Sequence, residues 1–473
     1  MINFKITELS LYRWRYYIGY GLVAIGLIAV LVFAGLYSPG GISNAEMQSV
    51  VKSSTINYTD FGSLTITNLP YHMLQQLSLA IFGVSILSIK LPSIILAFLS
   101  AIGLVLLLRQ WFSARIGVLA SLIAITTGQF IFIAQDGTPG ILYLFWSVWL
   151  ILLASLISSQ QKFRMLFKTA FLIMAALSLY TPLSIYTLIA IIIAIIIHPH
   201  LRYLTRQLSL AQLLIGTISA ILLLTPLIIT IIKTPSLGLN LLGIPANWPN
   251  FGANFTAIGA EYLGFAKPGG TTLMTPFFEL GSMLIIALGL YQMFKTRETA
   301  KSYVIGLWIL CLMPIIILNP NFTSIAFLPL VILLASGLNA LFAHWYGLFP
   351  HNPYARISGL IPIIILVSVL VTSGLDRYIY GYQYDPNIAP NFSTDLKLIP
   401  PDTKNLVVAN DELAFYKVVA THDKQLVVST TPISDTFLAS HKGNKLFNGY
   451  EIQQIIVSQR SNQSDRFYIY TKI

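Results

Sequence analysis

The chain is short of charge and nearly empty of cysteine. Charged side chains make up 10% of its 473 residues, where a soluble globular protein carries roughly a quarter. With 56% hydrophobic residues there is too little ionic surface to keep such a chain in water, so it is read as an integral membrane protein whose first partner is the lipid bilayer. The one cysteine, Cys311, lies inside an apolar run. It cannot form an intramolecular disulfide, and no thiolate metal cluster can be built from it. Acid and base are also missing from the middle of every apolar run, and no internal repeat is visible. Both absences weigh against an ion-coupled transporter or flippase.

The net charge of +11 does not indicate nucleic acid. The cations sit in short loops between apolar runs, as the positive-inside rule describes, and form no basic groove. The run from Tyr17 to Tyr37 follows Lys5, Arg13 and Arg15 and ends in no small-residue cleavage site. It reads as a retained signal anchor with a cytoplasmic N-terminus.

A membrane span needs roughly 20 apolar residues, and about eleven such runs are found, near 18–37, 90–108, 116–134, 139–158, 166–180, 182–198, 209–232, 275–294, 302–318, 322–343 and 357–375. With that count, Arg109, Arg115, Lys162, Arg164, Lys168, Arg202, Arg206, Lys295, Arg297, Lys301 and Arg356 all fall on the side of the N-terminus. Lys52, Lys233 and Lys267 are the chief cations of the alternate loops. The expected fold is therefore an all-α polytopic bundle in a cell membrane, over residues 1–375. A linker follows at 376–388, then an extracytoplasmic α/β domain at 389–473, where Asp, Lys, Asn and Gln become common. In that domain Asn405–Ala409, Gln425–Ser429 and Arg466–Tyr470 read as strands, and Asp411–Ala420 as a helix. The order of the sheet is not legible.

Three segments then face the outside: residues 38–89, the turn 135–139 and the loop 233–274. Between Met73 and Phe82 apolar positions recur at helical spacing over too few residues to span, which predicts an amphipathic helix in the interface plane. The long loop carries Trp248, Phe251, Phe255, Tyr262 and Phe265, as a mobile lid over a site at the membrane surface would, or as an aromatic belt would.

Several residues of these segments fit chemistry on an anionic lipid headgroup. Glu46 and Asp136 could serve as bases, although Ser43-Asn44-Ala45-Glu46 also fits a helix capping box and an Asp beside Gly and Pro is often a turn residue. Lys90 could meet phosphate or snorkel as an anchor. His72 reads as a phosphate neighbour or an ordinary interfacial histidine. Tyr180-Thr181-Pro182 could be a tight turn opening a helix. Glu279, about one turn inside the eighth span, is a further carboxylate.

Ala45-Glu46, then Asn68-Leu69-Pro70-Tyr71-His72, then Phe82-Gly83-Val84-Ser85 with Lys90-Leu91-Pro92-Ser93, resemble in their order the C-type membrane glycosyltransferases, the bacterial group of aminoarabinose and protein-mannosyl transferases. Phe132–Pro139 and Tyr180-Thr181-Pro182 continue the resemblance, which covers about the first 190 residues. It implies inverting transfer of a hexose or pentose from a polyprenyl-phosphate donor to a lipid, glycan or protein acceptor of the cell envelope. It further implies Glu46 and Asp136 as catalytic, and Asp60, Tyr71, His72, Lys90, Tyr180 and Lys267 as substrate-binding. No cofactor is certain, with a divalent cation the one candidate. The chain departs from the pattern where the first loop usually has Asp-Glu, because Ala45 stands at the Asp. Glu46, Asn44 or Asp60 then takes that role, or the chain is a lipid-binding relative without catalysis. Gln135 stands where Arg is common, and Gly140 where a second Asp occurs.

Overall fold

The computed structural model describes residues 10–473 except 39, 58–60, 160–163, 207–209, 246, 264–277, 349–353, 355–357, 384–388, 423–424 and 459–464. The helices run in the order α1 (Ser10–Tyr37), α2 (Asn44–Ser54), α3 (Leu69–Phe82), α4 (Ile86–Trp111), α5 (Ala114–Ile125), α6 (Gly128–Gln135), α7 (Leu142–Ser159), α8 (Arg164–Ser178), α9 (Ser184–Ile197), α10 (Pro199–Arg206) and α11 (Leu210–Lys233). They continue as α12 (Pro235–Leu241), α13 (Phe251–Leu263), α14 (Leu280–Lys295), α15 (Ala300–Leu318), α16 (Phe327–Leu348) and α17 (Leu360–Gln383). Each of the expected spans falls on an apolar helix or helix pair. Among the described residues seven helices are long and apolar enough to cross a membrane, nine if each bent pair is one span. The stretches Met165–Ser178 and Leu280–Lys295 are apolar but shorter.

Small residues set the closest approach in the bundle. A Cβ on Gly289 of α14 would lie 1.8 Å from the Leu333 carbonyl oxygen of α16, and one on Gly337 would lie 2.0 Å from that of Ile285. Only glycine lets the two backbones meet. Between α5 and α6 the expected third span is instead broken by 65°. Thr127 takes an extended backbone and caps α6 by accepting from the Phe130 amide, so the chain prefers a new N-cap to a continued helix. The bend matters below, because it aims the end of α6 at α4.

α17 also differs from expectation. It runs to Gln383, through the first part of the stretch read as a linker. Asp376 and Arg377 end the apolar run, but Leu370 and Tyr378 stay buried on one face, and the Tyr378 hydroxyl donates to the Ser38 carbonyl at 2.7 Å. Hydropathy follows lipid exposure, whereas the helix persists as long as one face packs.

The C-terminal domain holds a five-stranded sheet of β1 (Asn405–Val407), β2 (Val427–Ser429), β3 (Thr436–Ser440), β4 (Tyr450–Val457) and β5 (Arg466–Lys472), in the order β2-β1-β3-β5-β4. β1 pairs in parallel with β2 and β3, while β3–β5 and β4–β5 are antiparallel. The helix α18 (Leu413–His422) connects β1 to β2, as a parallel pair requires. β3 and β4 lie outside the sequence reading; β4 is an edge strand with mostly exposed side chains, so it has no apolar run to see.

The domain does not stand apart from the bundle. Leu406, Phe415, Tyr416 and Phe467 share one core with Ile42, Met47 and Val50, with Leu79 of α3 and with Ile86 and Ile89 of α4. The Ile42 amide donates to the Thr394 carbonyl at 2.8 Å, and Lys442 Nζ reaches Asn44 Oδ1 at 3.2 Å. α2, α3 and the sheet domain thus close one end of the bundle.

Candidate functional site

Beneath that domain, α2, α3, α4 and the turn after α6 enclose a polar cluster. Glu46 enters through the geometry of a helix start. Ser43 and Glu46 form a complete capping box, in which Glu46 Oε2 accepts from the Ser43 amide at 2.7 Å and Ser43 Oγ accepts from the Glu46 amide at 3.2 Å. This leaves Oε1 pointing away from α2. It accepts from the Gly137 amide at 2.7 Å and stands 3.5 Å from Lys90 Nζ. Lys90 Nζ also donates to Gln135 Oε1 at 2.8 Å and to the Gly41 carbonyl at 3.1 Å, so an oxygen faces each of its three protons. Glu46, Lys90 and Gln135 are each 0% exposed. A charge so buried is retained only when paired and hydrogen-bonded.

The turn 136–138 is held from a second side. Gln75 Nε2 donates to the Gly137 carbonyl at 2.9 Å and to the Ile89 carbonyl at 3.0 Å. Its Oε1 accepts from Ser49 and Ser53 Oγ at 2.8 and 2.7 Å, which uses the amide fully. Ser93 Oγ donates to the Asp136 carbonyl. With that proton spent, the Tyr71 hydroxyl is the donor to Ser93 at 2.8 Å. Gly137 has no room for a side chain, since a Cβ there would lie 2.7 Å from Ile89 Cγ2 and 3.1 Å from Glu46 Oε1.

Asp136 completes the cluster. Its carboxylate accepts from Thr138 Oγ1 and faces the Glu46 carboxylate. Burial and the Glu46 charge push its pKa up to about 7, against the pull of the Thr138 hydroxyl and the Lys90 ammonium. Two carboxylates facing one ammonium cannot both be neutralised by it, so one of them favours its proton. At 9% exposure Asp136 sits at the rim, where Glu46 is sealed. On α3, His72 Nδ1 bonds to Ser53 Oγ at 2.9 Å, and burial followed by the Lys52 charge lowers its pKa to about 4.

Of the residues singled out in the sequence, Glu46, Tyr71, His72, Lys90 and Asp136 are therefore assembled around one turn. Tyr180 lies apart from it: its carbonyl accepts from the Asn68 amide at 2.8 Å and its hydroxyl donates to the Leu223 carbonyl at 2.7 Å, which ties the start of α3 to α11. Asp60 and Lys267 lie outside the described residues. Glu279 is not inside a span; it is the N-cap residue of α14, with Ser282 Oγ 3.4 Å from its Oε2. Gln75, Ser93 and Gly137 were not recognised as site residues. The available signal was the inverted pattern of α3, whose buried side holds Tyr71, His72, Gln75 and Ser78 while Leu74, Leu77, Ile81 and Phe82 are exposed. A helix in an interface, lipid on its apolar side, has that arrangement.

Among the described residues no three His, Cys, Asp or Glu side chains converge as metal ligands. Glu46 is instead paired with the Lys90 ammonium at 3.5 Å. At the same end, a cavity of about 1010 Å³ opens between the α12–α13 segment and the end of α15, lined by uncharged groups including Thr65, Asn240, Asn254 and Asn319.

Residues 70–229 match the family model described as dolichyl-phosphate-mannose-protein mannosyltransferase. No curated protein matches the chain. Among solved structures, ArnT from Cupriavidus metallidurans in the apo state superposes with a TM-score of 0.55 at 11% identity, over 97% of this chain and 98% of that one. The same protein bound to undecaprenyl phosphate gives 0.54 at 12% identity, over 96% and 98%. The resemblance to C-type membrane glycosyltransferases seen in the sequence thus extends to the fold of nearly the whole chain.

Proposed function

We propose that the chain is a membrane glycosyltransferase that takes a sugar from a polyprenyl-phosphate donor and passes it to an acceptor hydroxyl of the cell envelope, on a lipid, glycan or protein. The observation that carries this reading is the convergence of Glu46 and Asp136, from two distant outer segments, on one ammonium in a site with the fold just described. The family match over 70–229 supports it, as does the undecaprenyl phosphate bound by the ArnT structure. The cations in the loops support a cytoplasmic N-terminus, with the acid cluster and sheet domain outside.

In this reading Asp136 is the base. A group whose pKa lies near neutrality, at the rim of a water-poor cluster, can take the proton of the attacking hydroxyl. The acceptor oxygen bonds to the anomeric carbon, the bond from that carbon to phosphate breaks on the opposite face, and the polyprenyl phosphate departs with the electron pair, inverting the centre. Glu46 and Lys90 act as positioning residues: Glu46 clamps the Gly137 amide and raises Asp136, and Lys90 holds Glu46 in place. Because Lys90 is closed off by three oxygens, the exposed Lys52 and Lys233 are the better cations for phosphate, with Lys267 of the long outer loop a third and Asp60 a group for the sugar hydroxyls. Tyr71, His72 and Tyr180 hold α3 under the site.

A second reading rests on the same closure: Ala45 in the place of an acid and a sealed Glu46–Lys90 pair favour a relative that binds the lipid without transferring from it. Purified protein incubated with a polyprenyl-phosphate sugar and cell-envelope acceptors separates the two. Release of polyprenyl phosphate by the wild type and its loss in Asp136→Asn supports transfer. Tight retention of the lipid with no release would establish the second reading.

A further inference from the structure

At the opposite end of the bundle the last turns of α4, α7 and α9 and the first turns of α8 and α15 leave a cavity of about 450 Å³, within the size range of small-ligand sites, roughly 300–1,000 Å³. α10 turns 100° from α9 and lies across the helix ends beside it, with Leu201, Leu204 and Thr205 on the cavity. The walls are aliphatic and aromatic, from Ile151, Phe171, Leu172, Ile191, Ile195 and Val304. The ionisable lining is of one sign. Lys168, His200 and Lys301 border the space, and no carboxylate is among the described residues that do. Lys168 is 6% exposed. Lys301 donates to the Trp111 carbonyl and its Nζ stands 5.1 Å from the centre of the Phe112 ring, so its ammonium is held at the cavity and not spread into solvent.

An apolar slot bordered by the buried Lys168 and the half-buried Lys301, beneath a helix turned across the helix ends, has the chemistry of a lipid site. The slot takes an acyl chain, and the ammonium groups take a phosphodiester. A zwitterionic headgroup brings its own cation to the same place and gains less. We infer that this cavity binds one anionic phospholipid from the leaflet opposite the acid cluster, with a chain between α7, α8 and α9 and the phosphate at Lys168, Lys301 and His200.

The test uses the full chain in neutral detergent, stripped of lipid, with dioleoyl phosphatidylglycerol, dioleoyl phosphatidylcholine and dioleoylglycerol as probes. Retention is read by native mass spectrometry and Tm by tryptophan fluorescence. The expected result is one phosphatidylglycerol per chain, held at least fivefold more tightly than phosphatidylcholine, with a rise in Tm. Lys168→Gln with Lys301→Gln removes that preference while leaving dioleoylglycerol binding intact. Ala154→Trp, which fills the slot, weakens all three probes. Equal retention of both phospholipids by the wild type overturns the inference, as does unchanged phosphatidylglycerol binding in Ala154→Trp. Displacement of phosphatidylglycerol by undecaprenyl phosphate also overturns it, by making the cavity part of a polyprenyl site.

Discussion

Lys90 Nζ and Glu46 Oε1 stand 3.5 Å apart with both side chains fully buried, the first on the long apolar helix α4 and the second on the short helix α2. Either alone is a charge without water. Lys90→Met, by leaving Glu46 unpaired, is expected to cost about 3–5 kcal/mol, seen as a fall in Tm in detergent. Lys90→Met combined with Glu46→Gln recovers part of this, and strict additivity of the two single changes would show that the pair is not coupled.

Asp136→Asn is expected to lower sugar transfer by about 10²–10⁴-fold, measured as polyprenyl phosphate released. In the wild type, with the Asp136 pKa near 7, transfer rises as pH increases through that value and levels above it. A flat profile from pH 5 to 8 would remove Asp136 as the base. The stability sign is opposite. A raised acid contributes stability below its unfolded pKa, and this is lost as pH rises through about 7. Asp136→Asn should therefore melt higher than wild type at pH 8, with a smaller gap at pH 5.

His72 is held neutral, its pKa lowered to about 4 by burial and Lys52. The unfolded chain takes up that proton below about 6.5 while the folded chain does not. Stability is therefore present above pH 6.5 and declines as pH falls toward 4. Tm measured across that window should fall less steeply in His72→Gln, and an identical slope would assign the acid sensitivity elsewhere.

Gly137→Ala places a methyl 2.7 Å from Ile89 Cγ2. The turn must move, at a cost of about 1–3 kcal/mol, and the Asp136 carboxyl moves with it. Transfer should drop more than Tm does, and a variant with full activity would mean the turn is not part of the site.

Gln75→Ala leaves the Gly137 and Ile89 carbonyls and two serine hydroxyls without their amide. Each unpaired buried group costs about 1–3 kcal/mol. Thermal melts should show a loss at least as large as that of Lys90→Met, since the amide joins three elements at once.

The sequence by itself determined that this is a membrane bundle with a polar tail, and where its apolar helices lie, because partition into lipid depends on composition within a window of roughly 20 residues. It determined the Ser43–Glu46 cap for the same reason: the donor and acceptor are three residues apart. It could not say that Glu46 would accept from an amide 91 positions away, because no local pattern encodes a contact across that interval. Only the tertiary structure decided that Thr127 would break a span and swing Asp136 beneath the first loop. It alone decided that Lys90 would be closed off by three oxygens from two segments, and that a helix with its apolar side outward would place Gln75 at the centre. These outcomes depend on desolvation and on pairing buried polar groups, which are properties of packed neighbours and not of adjacent residues.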